Sequence, residues 1–337
     1  LVTLLAAGLF AAAPVHAQID SSQVGCAKCL WRTETELVGK WTYKYDSSMG
    51  EPKITPAEAA ALRATLLQIS EIAHATPVMT ARKGISAWVW ARLDMGCPFN
   101  QMLCHWKPLG AWEDVIVDMH LLNVKTGARS LMNQESPRVH IAVNDPTQLY
   151  VYGGHKSTFI GENGYDILGV LEQVGEVGGL PLYDNQLIIV SGKRPLFVPV
   201  SREAYIRGII HTFYLKAASD GGDKTTADYF AATLRKELAG MSADERASQA
   251  YTSRNSQLTS MLAPADEAGA TPMIMFNPDY FDTTLPRTAV QLITVRTVEP
   301  GLDTNNPDPE TSDTRVDAVW RLRNTIDYAK LRLLLVK

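Results

Sequence analysis

The chain has 337 residues, of which 46% are hydrophobic and 20% charged, and its formal net charge is −4. This is the composition of a globular chain able to bury a core. Its mild acidity excludes the clustered basic surface that nucleic-acid binding requires. After the first seventeen residues no apolar run approaches the roughly 20 residues of a membrane-spanning helix.

Leu1 to Ala13 is an uncharged apolar stretch, and Pro14-Val15-His16-Ala17 closes it with small residues at 15 and 17. That pattern predicts a signal peptide (1–17) cut after Ala17, giving a secreted or periplasmic chain. No Cys stands at the cut, so no lipid anchor is expected. An oxidising compartment favours disulfides among Cys26, Cys29, Cys97 and Cys104, for which three connectivities are open. Crossed pairing is favoured over Cys26–Cys29 with Cys97–Cys104, because a two-residue intervening loop strains disulfide geometry. A thiol oxidoreductase using Cys26 and Cys29 is the redox alternative. It lacks the preceding strand that such a motif normally has. The same thiols match zinc poorly, since Cys97 and Cys104 are spaced too widely for a zinc knuckle. Neither metal nor cofactor is expected.

The predicted organisation is an N-terminal arm and helical region (18–110) followed by an α+β region (111–337), or the two as one continuous domain. The arm carries Trp31, Trp41, Tyr43 and Tyr45, read as exposed. Thr55-Pro56-Ala57-Glu58 is a capping box with proline at the first helical position, so 56–75 is a helix burying Leu62, Leu66, Ile69 and Ala73. Residues 85–93 fit helix or strand. Period-2 alternation predicts strands at 115–122 and 138–144. Others are expected at 148–152, 166–171, 187–191, 195–200 and 288–298, with glycine pairs at 153–154 and 178–179 between them. Ser201, Thr225 or Thr226, and Ser242 start helices, and Gly240 ends the second. Residues 254–272 read as loop, and a single C-terminal helix carries Val316, Trp320, Ile326, Ala329 and Leu333. The fold class expected is α+β, a mainly antiparallel sheet with an N-terminal helical part and C-terminal packing helices.

If 115–122 pairs with 138–144, Asp118 and His120 share a face able to carry Arg138, His140 and Asn144. Such a set could bind an anion or move protons; it is also what the solvated side of an antiparallel sheet looks like. The adjacent acids Glu113 and Asp114 point to opposite faces of a strand. Gly153-Gly154-His155-Lys156 resembles a phosphate loop, but His155 separates glycine from lysine. The acidic stretch 303–313 lacks the glycine of a calcium loop. Neither a G-x-S-x-G elbow nor an H-E-x-x-H helix is present,. Near the C-terminus, Asn277-Pro278-Asp279 is turn chemistry, Tyr280 and Phe281 would anchor that loop, and Arg287 could pair with Asp279 or Asp282. Those four polar residues, Asp279, Tyr280, Asp282 and Arg287, are binding candidates together with Arg138.

Phe276 to Asp282, Leu285-Pro286-Arg287, Gln291 to Thr294, Pro195 to Glu203 and Glu237 to Ser242 together resemble a group of uncharacterised exported bacterial proteins. The resemblance covers mainly 187–335 and implies export and one structural unit, not an activity. The leading expectation is therefore a non-enzymatic binding or envelope-associated protein, its partner an unknown ligand or an envelope protein. The rival is an exported hydrolase of polymer or peptide using Asp118, His120 and His140.

Overall fold

The computed structural model describes residues 31–46, 54–94, 108–133, 136–149, 159–183, 185–219, 223–254, 256–298 and 314–336. The signal segment, all four cysteines, the 153–158 glycine loop and the 303–313 acidic stretch lie outside these residues.

The arm forms β1 (Trp31–Thr33) and β2 (Trp41–Asp46). Alternation in β2 turns Trp41, Tyr43 and Tyr45 onto the main core and leaves Thr42 and Lys44 exposed,. These three aromatics are thus core-edge residues, not the exposed ones expected. α1 (Pro56–His74) starts at the anticipated capping box: Thr55 Oγ1 accepts from the Glu58 amide, and the Glu58 carboxylate accepts from the Thr55 amide at 2.9 Å. Its buried stripe is the predicted one. α2 (Pro77–Ala81) follows, and 85–93 resolves as a strand, β3 (Ile85–Asp94). β2 and β3 run parallel, a pairing that needs a crossover, which α1 and α2 supply.

β4 (Gly110–Asn123) turns back into β5 (Arg129–Met132), and β6 (Arg138–Val143) follows. The strand expected from 148 is, over its described part, a 3-10 turn at Pro146–Leu149; Pro146 has no amide to give to a ladder. Then come β7 (Phe159–Ile160), β8 (Asp166–Gly169), β9 (Gln173–Val177), β10 (Leu180–Tyr183), β11 (Gln186–Val190) and β12 (Phe197–Pro199). Gly178 and Gly179 have φ of 58° and 74°. They form the two-residue turn between β9 and β10, where side chains with a Cβ would be strained.

α3 (Arg202–Ser219), α4 (Lys224–Ala239) and α5 (Ala243–Ala247) come next. α4 is capped by Asp223, whose carboxylate accepts from the Thr225 amide at 2.8 Å, two and three residues before the expected threonines. β13 (Tyr251–Thr252) precedes β14 (Thr271–Phe276), so the predicted loop ends in a strand. After β15 (Leu292–Val298) the C-terminal helix is two, α6 (Thr314–Thr325) and α7 (Tyr328–Leu333). Asp327 restarts the chain by accepting from the Lys330 amide at 3.1 Å, the competition with helix continuation that aspartate offers.

The fold is α+β. The larger sheet runs β2-β3-β4-β6-β15-β11-β10-β9, with β1 and β5 both on β4. The smaller runs β12-β14-β8-β7, with β13 on β14. One face of the larger sheet carries Val89, Val115, Val117, Ile141 and Val295 against α1, α6 and α7. The smaller sheet directs Ile167 toward α3 and α4 and Leu168 the other way, onto Ile188 and Leu292 of the larger sheet. At the β15–β11 end the layers are therefore helix, sheet, sheet, helix. The second face of the larger sheet is the one with polar character.

Among the described residues no helix is long and apolar enough to cross a membrane.

Candidate functional site

Register decides which polar residues meet. Asp114 of β4 lies opposite Trp90 of β3 on one side and His140 of β6 on the other. His140 lies opposite Arg296 of β15, and Arg296 opposite Gln186 of β11. Opposed residues share a face, so Trp90, Asp114, His140, Arg296 and Gln186 form one row across five strands. Trp112 opposes Ala142, and Ala142 opposes Thr294, in the row beside it. On the other side, Trp88 opposes Ile116 and Ile116 opposes Arg138.

At the centre of this face His140 Nδ1 is 2.7 Å from Asp114 Oδ1. Arg138 Nε is 3.2 Å from the other carboxylate oxygen, an ion pair that is not an aligned hydrogen bond. Both Asp114 and His140 are only 6% exposed. Burial holds the imidazole below the ordinary histidine range, against the raising pull of Asp114, while Arg296 adds to the lowering. The contact is therefore a neutral imidazole donating from Nδ1 to a carboxylate, which can only accept. That leaves Nε2 as a lone-pair acceptor. It is buried and has no hydrogen-bond partner among the described residues. Thr294 Oγ1 and Trp90 Nε1 are buried and partnerless in the same way. Trp90 and Trp112 meet edge to face at 5.2 Å, and Trp112 lies 5.5 Å from the His140 ring.

The two remaining sequence candidates on this face lie further along β4. Asp118 accepts from Ser136 Oγ at 2.6 Å, not from either histidine. His120 Nε2 is 2.8 Å from Ser86 Oγ, and Ser86 Oγ also accepts the Lys40 amide at 3.0 Å. Burial lowers the His120 pKa, with Asp118 and Glu34 pulling the other way. Among the described residues no carboxylate hydrogen-bonds the second His120 ring nitrogen, so the pair lacks the third, orienting group of a triad. Asp118, His120, Arg138 and His140 do share one face. The hydrogen-bonded partner of His140, however, is Asp114, which the sequence marked only as pointing away from Glu113.

Asn144 leaves this set. It is fully buried, and its Oδ1 accepts from the Gln291 and Leu292 amides at 2.8 and 3.2 Å. Its Nδ2 donates to the Ala289 and Leu109 carbonyls at 2.8 and 3.3 Å. It is a brace between strand ends, with no polar atom left for a ligand. The 276–287 loop is likewise tied down. Tyr280 donates its hydroxyl to the Gln291 carbonyl at 2.7 Å, and Asp282 accepts from the Thr284 hydroxyl at 2.6 Å. Arg287 reaches Glu58 of α1 at 3.4 Å, where the sequence suggested Asp279 or Asp282. Asp279 itself gives its carbonyl to Arg194.

Among the described residues no group of three or more His, Cys, Asp or Glu side chains is placed to hold a metal ion. Compared with known proteins, the chain matches no family model, no curated protein and no solved structure.

Proposed function

We propose that this is an exported, secreted or periplasmic, ligand-binding protein without catalytic activity, and that its site is the Asp114–His140 face of the larger sheet. Export rests on residues 1–17. The observation that carries the site is the His140 Nε2 acceptor. It is deeply buried, its tautomer is fixed by Asp114, and it has no partner. An unpaired buried polar atom costs about 1–3 kcal/mol, a cost that a bound group donating to it would remove. Trp90 Nε1 stands in the same row of the sheet with the same deficit.

The hydrolase reading stays second, on the strength of the 2.8 Å Ser86–His120 contact. Both readings are separated by a thermal-shift screen of sugars, amino acids, peptides and short esters on the wild type, His140→Asn and Ser86→Ala. In His140→Asn the amide can still donate to Asp114, but the Nε2 acceptor is gone. The expected result is a compound that raises the wild-type melting temperature, does so much less for His140→Asn, equally for Ser86→Ala, and is recovered unchanged. A compound that is cleaved, with cleavage lost in Ser86→Ala, would put the hydrolase first. Shifts identical in wild type and His140→Asn would remove the site.

A further inference from the structure

We infer that the ligand of this face is a neutral oligosaccharide, seated on the tryptophans of β3 and β4; the inference rests on the binding reading above. Three features of the face converge on that chemistry.

The first is shape. Trp88, Trp90 and Trp112 lie on one face of two adjacent strands, and each is half-buried. Trp88 and Trp90 are two residues apart, roughly 6.8 Å along the strand, a spacing on the scale of successive sugar units. Trp112 meets Trp90 at an interplanar angle of 82°, so the pair offers one ring face and one ring edge to a flat ligand. Indoles combine a large apolar surface with a polar N–H. The C–H faces of a pyranose match the former and its hydroxyls the latter.

The second is the hydrogen-bonding inventory. His140 Nε2 needs a donor and Trp90 Nε1 needs an acceptor,. A carboxylate or phosphodiester brings acceptors alone and would leave Nε2 facing another acceptor. An ammonium brings donors alone and would leave the indole N–H unmet. Hydroxyl groups supply both from the same atom.

The third is charge. Asp114 is paired with Arg138, and the imidazole is neutral. Asp118 and Arg296 add one charge of each sign to the face, so its two acids and two guanidiniums balance. A ligand with no charge leaves these pairings intact.

His140 Nε2 is closed to solvent in the free protein, and Trp112 is the half-buried ring packed beside the imidazole. Sugar entry therefore moves Trp112, which makes tryptophan fluorescence the direct readout.

The test titrates the full-length protein with the hexamers of maltose-type, cellulose-type and chitin-type sugars (maltohexaose, cellohexaose, chitohexaose) and with hexagalacturonate. The variants are Trp88→Ala, Trp112→Ala and His140→Asn, and circular dichroism confirms that each is folded. We expect at least one neutral hexamer to change the fluorescence saturably. Its affinity should fall at least tenfold in Trp112→Ala and Trp88→Ala and severalfold in His140→Asn. If Trp112→Ala does not fold, Trp88→Ala and His140→Asn decide. Binding by hexagalacturonate alone would overturn the neutral assignment. No sugar binding, or binding equal in wild type and variants, would overturn the sugar. In that case the compound screen still separates the outcomes. A non-sugar hit that depends on His140 keeps the site and removes the sugar, whereas an absence of any hit removes both.

Discussion

Replacing Glu113 by Leu is expected to stabilise the protein, and to do so increasingly as the pH rises. Glu113 points away from the polar row, into the main core, level with Tyr45, Ala91 and Ile141 across the strands. It is fully buried, and neither carboxyl oxygen has a hydrogen-bond partner; the nearby Tyr43 hydroxyl is also partnerless. Burial first, and the Asp114 charge second, push its pKa well above the usual carboxylate range. A neutral acid buried without a partner costs about 1–3 kcal/mol, and leucine of similar volume removes that cost. The pH dependence has a definite sign. The unfolded chain gives up the Glu113 proton from about pH 4.3 upward, while the folded protein keeps it to its own raised value. Between those two values stability falls by about 1.4 kcal/mol per pH unit, and above the folded value the loss is complete. Urea melts of wild type and Glu113→Leu from pH 4 to 9 should show a difference that is small and constant at the acid end and then widens. A leucine variant that is less stable at every pH would mean that the carboxyl has a partner such as a buried water.

The opposite effect is expected at Asn144. Its φ of 52° lies in the left-handed region, which asparagine tolerates and alanine does not; the conformation alone costs alanine about 1–2 kcal/mol. Its side chain also satisfies the Gln291 and Leu292 amides and the Ala289 carbonyl at the start of β15, and the Leu109 carbonyl just before β4. Leaving those groups unpaired in the interior adds about 1–3 kcal/mol. Asn144→Ala should therefore lose about 2–5 kcal/mol by denaturant melting. Asn144→Gly should recover only the conformational part, since glycine accepts positive φ but makes none of the bonds. A loss below about 1 kcal/mol for the alanine variant would show that the brace is not holding β15 in register.

The face on which the site lies was legible from alternation alone. Residues 115–122 and 138–144 carry a period of two, and that period fixes the Asp118, His120, Arg138 and His140 side chains to one surface. It does not fix the partner of each. Register depends on how far β4 slides along β6, and the strand sequences permit Asp114 or Asp118 opposite His140; the observed pairing is Asp114. Asn144 has the right parity for the face, yet its positive φ ends the strand and turns the amide inward. The arm's alternation of aromatic and polar residues was present in Trp41-Thr42-Tyr43-Lys44-Tyr45 as well, but its strand partner β3 is reached only across the α1–α2 crossover. β9 and β14 were illegible for local reasons: Gly175 and two exposed faces weaken the one, and Pro272 opens the other,. The tryptophan platform needed β3 and β4 to be brought into register before Trp112 stood beside Trp90.

The account turns on His140 as a neutral acceptor awaiting a donor. The direct measurement is nitrogen-15 NMR of the histidine side chains in the full-length protein, with His140 assigned by comparison with His140→Asn. The expected spectrum at pH 7 has Nδ1 protonated and Nε2 bare, and at pH 6 His140 should be less protonated than an ordinary histidine,. The Nε2 resonance should then move toward a hydrogen-bonded value when a bound hexamer is added. A proton on Nε2 at pH 7 in the free protein would contradict the account, because the Asp114–His140 pair would then offer no acceptor for a ligand to meet.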